Sequence, residues 1–437
     1  MPSNPGRYPC AAEGDSQFWR QGTRQRRQSL EDIRRLGGRL SAAILSAVLI
    51  LGATLMAPAA AVAAGLDVAV IYLTKQEKQR LPLSLLDSIL EDDGIWGARL
   101  GLQDNQTTGR FLKHAYRLIE AVLPEDGDPA AAFRSRAAEG VRLFLADLRA
   151  EDLEAIAALP EAAGALIFNV RAPDDALRNE GCRANVFHVV PSRAMRTDAL
   201  AQYLMWKKWN RWLVLYGKTA EDQAFFEALQ RSAKKFDAEV VEARPVVEDA
   251  PSARTDSGHA QIQKQIPILT QGAPAHDVVV VADEADAFGE YLPYRTWDAR
   301  PVAGTQGLVP TAWHRSHEQW GGTQIQRRFH KIAGRDMTVR DYANWAAMRS
   351  IGEAVTRVNS AEPEKIRAHL MGDGFKLAAF KGTPLTFRRW NQQLRQPVLL
   401  AAPRSLVSVS PQKEYLHQRT PLDTLGYDEP ESACKLL

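Results

Sequence analysis

Arg149, Arg171 and Lys218 each lie shortly beyond an apolar run of this 437-residue chain. Cations placed so could pair with a carboxylated small molecule, arginine bidentately and without giving up its proton. Asp147, Asp283 and Glu284 hold equivalent positions. These acids would repel a polyanion unless they orient the arginines, and they could equally receive an ammonium-bearing ligand. Tyr72, Trp96 and Trp313 are candidate flat walls for an aromatic ligand, and Asn169 and Gln306 complete the set of polar residues at strand ends.

The signatures of covalent and nucleotide chemistry are missing: no G-x-G-x-x-G after a strand, no Walker lysine loop, no H-E-x-x-H and no G-x-S-x-G elbow. No nucleophile has a neighbouring base, so binding without catalysis and without a catalytic cofactor is expected. His314 and His317, with Glu318, have helical spacing for metal ligation. No third ligand cluster accompanies them, and a solvated polar helix start accounts for them better. Lys207 and Lys208 beside Trp206, Trp209 and Trp212 read as an amphipathic helix end with its lysines in water. Asn105-Gln106-Thr107 is a glycosylation sequon of the kind that arises by chance.

The elements that must position these residues alternate in type. Residues 186–190 form an apolar run too short for a helix and closed by Pro191, hence a strand. A helix over 198–209 follows, with Leu200, Tyr203 and Leu204 on one face, then a strand over 212–216 broken by Gly217. A helix over 221–236 carries Phe225, Leu229, Ala233 and Phe236 along one side, and a strand over 239–242 closes the unit. Strand, helix, strand, helix, strand is the pattern of a parallel sheet with right-handed crossovers.

The same pattern precedes the unit, with strands over 66–72, 114–123, 141–145 and 164–168 and helices over 93–105, 129–139 and 151–159. It continues beyond, with a helix around 259–269, an apolar strand over 276–281 and a short strand over 305–310. Helices over 318–333, 338–358 and 363–371 and β-rich pieces over 387–411 complete it. The expected fold is α/β, two doubly wound parallel-sheet lobes whose ligand crevice lies at the carboxyl ends of the strands. Lobe 1 is assigned 65–191 and 308–358, lobe 2 192–307 and 359–411, and 412–437 a tail. The lobes should be joined near Pro191, near Pro310 and between 358 and 375.

Composition agrees with two domains: 45% hydrophobic and 24% charged residues are ordinary globular material. Residues 1–64 differ. Seven arginines between 20 and 39 precede an apolar run over 42–56 and an Ala-Val-Ala site at 61–63, which reads as a cleaved export signal to the periplasm. The alternative is an uncleaved anchor in the inner membrane, with the run stretched through 63. Without 1–63 the chain holds 47 basic and 48 acidic residues, which gives no support to nucleic-acid binding. Cys182 and Cys434 are then the two remaining cysteines, and in an oxidising compartment they are expected to pair and tie the tail to lobe 1.

From about 66 to 411 the chain resembles the type 1 periplasmic binding proteins, the branched-chain amino acid binding class of ABC transport systems. The exported start, the segment 186–201, WLVLYG at 212–217 and the 221–241 unit carry the resemblance. Within that class it is similar to a narrower family associated with pyrroloquinoline quinone (PQQ)-dependent alcohol dehydrogenase systems. The supporting segments are GARLGLQDNQTTGRF at 97–111, CRAN at 182–185, PSRAM at 191–195 with DALAQ at 198–202, and LDTLG at 422–426 running on to Cys434. The resemblance implies a receptor that closes on its ligand and presents it to an ABC permease and ATPase. The narrower one implies PQQ or a related anionic aromatic compound as ligand, and a PQQ-dependent dehydrogenase system as partner. Amino-acid binders of the class hold their ligand's head group with Ser and Thr hydroxyls after first-lobe strands, whereas the corresponding loops here read Asp147-Leu148-Arg149 and Asn169-Val170-Arg171. An amino-acid or amide receptor and a tethered sensory domain are the alternatives.

Overall fold

The computed structural model describes residues 65–78, 89–246, 265–434 and 436. The expected export signal, and most of the helix expected around 259–269, lie outside them.

Two parallel sheets form the frame. The first has the order β2-β1-β3-β4-β5, from β1 (Leu66–Lys75), β2 (His114–Leu123), β3 (Leu143–Asp147), β4 (Leu166–Asn169) and β5 (Val186–His188). Alternate residues of β1 enter opposite cores. Val68, Val70 and Tyr72 face helices Ile95–Leu112 and Val339–Val358, while Ile71 and Leu73 face helices Pro129–Ala138 and Ala150–Ala157. The second sheet has the order β7-β6-β8-β9, from β6 (Arg211–Tyr216), β7 (Glu239–Pro245), β8 (Val278–Ala282) and β9 (Val302–Gly304). Trp212, Val214, Val278 and Val280 pack under helices Arg193–Trp206 and Ala220–Phe236, and Leu213, Leu215, Val279 and Val281 form the core of the other face. Both lobes are thus doubly wound, as the strand and helix alternation requires.

The helix expected to end at 105 runs on through Thr107 and Gly109 to Leu112 and stops at left-handed Lys113, whose N–H returns to the Gly109 carbonyl. Gly97 and Gly101 let it lie close on the helix Val339–Val358, where a Cβ on Gly97 would strike the Asp341 carbonyl. Asn105 is buried in that contact and donates to the Met348 carbonyl, so its sequon is inaccessible.

The chain passes between the lobes three times. The first passage follows β5 near Pro191 and the second leads from β9 into β10 (Val309–Thr311), both near the expected prolines. The third falls later than expected. Ile366, Leu370, Phe375, Phe387 and Leu394 lie in the first-lobe core, and only from Val398 and Leu400 does the chain join the second. β11 (Thr386–Phe387) and β12 (Leu394–Arg395) form a hairpin before the passage, and β13 (Val398–Ala402) pairs antiparallel with β10 and β14 (Ser405–Ser410) after it.

Buried side chains stitch the passages together. Gln393 Nε2 donates to the His188 and Val190 carbonyls, and Gln396 Nε2 to Val189 at 2.7 Å. Arg178 joins Gln393 to Val190. Lys381, 2% exposed, donates to the carbonyls of Ala312 and Pro397 and sits over the Tyr342 ring, linking the second passage to the third. These donors satisfy buried carbonyls beside the passages.

The tail is anchored where an apolar run was missing from the sequence. Leu425 enters the second-lobe core, Asp423 accepts from Arg388 and Arg395, and Asp198 accepts from the Gly426 N–H. Cys434 is disulfide-bonded to Cys182 in the loop between β4 and β5. Across a separation of 252 residues, the chain-entropy argument puts the stabilisation at about 5 kcal/mol at most. Thiol titration of the denatured, unreduced protein should find no free thiol at 182 or 434, and a Cys182→Ser, Cys434→Ser double variant should unfold at lower urea.

Burial pushes the Lys381 pKa from 10.5 down to about 7. Above pH 7 the folded state therefore holds a neutral amine while the unfolded chain stays protonated to about 10.5. The unfolded state binds more protons in that window, so this residue's contribution rises with pH and is lost as pH falls through 7. The stability of the parent relative to Lys381→Met should increase between pH 6 and pH 9, as read from urea midpoints.

Candidate functional site

A cleft of about 1300 Å³ opens between the lobes. Tyr72 and Thr74 of β1, Arg149 after β3 and Arg171 with Asp174 after β4 line one wall. Asp283 and Glu284 after β8 and Thr305 and Gln306 after β9 line the other. Of the residues singled out in the sequence, Tyr72, Arg149, Arg171, Asp283, Glu284 and Gln306 meet here, brought together by the common polarity of the strands.

Arg149 and Arg171 converge, and Glu77 receives both. Its carboxylate accepts from Arg149 Nε at 2.5 Å and lies 2.6 Å from Arg171 Nη2. Burial works against the Glu77 charge, but the two guanidiniums outweigh it and hold its pKa below the usual glutamate value. Arg149 Nη1 also reaches Glu221 at 2.5 Å, an ion pair from the first lobe to the first turn of a second-lobe helix. Glu284 is held by Arg193 at 2.7 Å and Arg196 at 2.8 Å, and Arg193 also pairs with Asp174 across the cleft. Gln306 donates to Asp286.

Asp147 and Asn169 position others. Asp147 is fully buried, accepting from Arg340 at 2.7 Å, from the Tyr72 hydroxyl at 2.9 Å and from Asn344. Burial, then the Asp147 charge, raise the Tyr72 pKa, so the phenol stays protonated. Asn169 accepts from the N–H groups of Arg171 and Ala172 and donates to the Ala172 carbonyl, which shapes the loop that carries Arg171. Asp283, 2% exposed, accepts from the N–H groups of Ala287, Phe288 and Gly289, and burial raises its pKa.

Three expected residues fall elsewhere. Lys218 points to solvent beyond β6, outside the cleft wall, because the capping box of Thr219 and Asp222 starts the helix there. Trp96 donates to Asp92 and carries the Arg99 guanidinium over its ring at 4.4 Å. Trp313 is buried and stacks on Tyr342 at 4.6 Å. His317 packs edge-on against Trp313, bonds to the Phe380 carbonyl at 2.7 Å and is kept neutral by burial, so it is not the solvated residue expected. Among the described residues no group of three His, Cys, Asp or Glu side chains converges as metal ligands do.

Sequence reasoning missed Glu77, Arg193, Arg196, Glu221, Arg340 and Asp93, all on the cleft wall. Capping signals would have found three of them. Ser192 caps the helix that begins at Arg193, the Thr219–Asp222 box places Glu221, and the Thr338–Asp341 box places Arg340 in a first turn.

Two parallel-sheet lobes around a polar cleft define a hinged solute receptor. The chain belongs to the periplasmic binding protein family, which it matches over residues 126–405. No curated protein matches it. Among solved structures it is similar to a branched-chain amino acid ABC transporter periplasmic ligand-binding protein from Burkholderia xenovorans, with TM-score 0.64 and 14% identity over 84% of this chain and 99% of that one. It is also similar to an amino acid ABC transporter substrate-binding protein from Pseudomonas fluorescens, with TM-score 0.60 and 12% identity over 84% and 98%. A Desulfitobacterium hafniense ABC transporter substrate-binding protein in complex with Leu gives TM-score 0.58 and 14% identity over 78% and 99%. At these identities the likeness is one of fold.

Glu77 is the shared counter-charge of two arginines, so its removal should leave cations seeking an anion. Glu77→Gln should lower stability by roughly 1 kcal/mol or less, since these groups are a third or more exposed in part. In thermal melts, added sulfate should raise the midpoint of the variant more than that of the parent.

Proposed function

We propose that this protein is the periplasmic solute-binding component of an ABC transport system and holds a small ligand of amino-acid type between its lobes. The observation that carries the reading is the cleft itself, where paired charges of both signs line the carboxyl ends of two facing parallel sheets. A zwitterion needs both a donor set for its carboxylate and acceptors for its ammonium. Arg171 and Arg196 each meet one carboxylate oxygen and retain donors to spare, and they can serve where the hydroxyls used by amino-acid binders are absent. The Desulfitobacterium protein, whose crystal structure is a complex with Leu, agrees with such a ligand.

PQQ is less well suited. A tricarboxylate would have to displace Glu77, Glu221 and Glu284 from the arginines it needs, and two of the three expected aromatic walls lie outside the cleft. The matches likewise give no support to a PQQ-linked family or to a dehydrogenase partner. In this reading the partners are a permease and an ATPase, and the protein binds without catalysis. The lobes close about the passages near Pro191, Pro310 and 394–398.

Calorimetric titration with a panel of amino acids and PQQ tests the assignment. An amino acid should bind, and small-angle scattering at saturation should show a more compact particle. Arg171→Ala should cost about 2 to 5 kcal/mol of affinity if it holds the carboxylate. Binding of PQQ with no response to any amino acid would reject the reading.

A further inference from the structure

The charge carried by the cleft goes further than its mixed polarity. Among the described residues lining it, eleven are acidic and seven basic. The five arginines are already in contact with carboxylates: Arg149 and Arg171 with Glu77, Arg193 and Arg196 with Glu284, and Arg340 with Asp147. What remains is a negative field in a cavity whose low-dielectric walls focus it.

Each lobe contributes an acid with little cationic compensation, Asp93 half-buried and Asp283 buried. On the first, Asp93 accepts from the Thr338 hydroxyl at 2.5 Å and has Arg340 only at 3.5 Å, while Arg340 spends its closer contacts on Asp147. On the second, Asp283 is held by backbone N–H groups and makes no described ion pair. Glu91 and Glu125 extend the first wall outward, and neither makes a described ion pair. Beyond the Arg149–Glu221 and Arg193–Asp174 pairs that span the cleft, closing the lobes further brings the remaining acids of the two walls toward one another, which costs energy unless a positive charge comes between them. The described carboxylates do not converge in a metal-binding group, so the cation that fits is extended and organic.

We propose that the solute carries net positive charge: an amino acid or amine with a second ammonium or a guanidinium, lodged between Asp93 of the first lobe and Asp283 with Glu284 of the second. This rests on the receptor reading above and narrows it. The acids then favour closure around a cationic guest, adding to the Arg149–Glu221 and Arg193–Asp174 pairs that already join the walls.

The test is a calorimetric comparison of L-arginine, its amine agmatine, L-leucine and PQQ on the full chain, at low and at high salt. Arginine or agmatine should bind at least tenfold more tightly than leucine, and the gap should narrow as ionic strength rises from about 0.02 to 0.3 M, where screening sets in. Asp93→Asn should reduce the cation-to-leucine preference several-fold. Should that variant fail to fold, the rim pair Glu91→Gln with Glu125→Gln should flatten the salt dependence of cation binding. Leucine binding as tightly as both cations would overturn this inference and leave the receptor reading standing. Binding of PQQ alone, or of none of the four, would overturn it too, and PQQ alone would also reject the amino-acid reading.

Discussion

Two sheets can face each other across a cleft only if the chain crosses between them without stranding backbone polar groups, and that constraint governs the rest of this molecule. The crossings are short and offer little ladder pairing, so buried side chains take over the role. Gln393 and Gln396 supply donors to the first crossing, and Lys381 holds the second against the third. A buried lysine between two carbonyls is an uneasy choice, since desolvation works against its charged form. It suits a joint, because a pair of hydrogen bonds from one flexible stem tolerates small rotations that a β-ladder would resist.

The cleft obeys the same electrostatic logic in the opposite sense. Its arginines are placed by strand polarity and helix capping, and each is met by an acid before any solute arrives. Glu77 and Glu284 each bind two guanidiniums, so the charged groups keep fixed directions in the open cavity rather than sampling solvent. Asp147 and Asn169 stand behind this layer, one orienting Arg340 and Tyr72, the other shaping the loop of Arg171. Their burial explains why strand-end polarity alone marks them as ligand contacts although their bonds are internal.

Much of the architecture is legible in the sequence because period-2 runs such as 66–72 and 276–281 and the 3.6-period faces of 221–236 leave little freedom. Strand order makes Tyr72, Arg149, Arg171 and Asp283 neighbours for the same reason. Lys218, Trp96 and Trp313 were misplaced because residue type says nothing of which side of a loop or helix a side chain takes. Arg193 and Arg340 escaped because they come from helix first turns rather than strand ends. The third crossing was placed too early because helix Pro363–Leu370 has a buried face that suits either lobe, and only tertiary packing of Ile366 and Leu370 decides. The tail escaped for a like reason: Asp423 and Asp198 anchor it through arginines and backbone distant in sequence.

The position of Leu425 has a consequence for the order of events during synthesis. The first lobe needs the helix Val339–Val358 and residues up to Leu394, while the second fills its core with Val398, Leu400 and finally Leu425. Neither lobe can reach its full core while the nascent chain still lacks its last quarter. One core of each lobe therefore stays incomplete until the chain is almost entirely made, which suits passage through a narrow translocation channel. The discontinuous path that creates the joint thereby also delays tight folding.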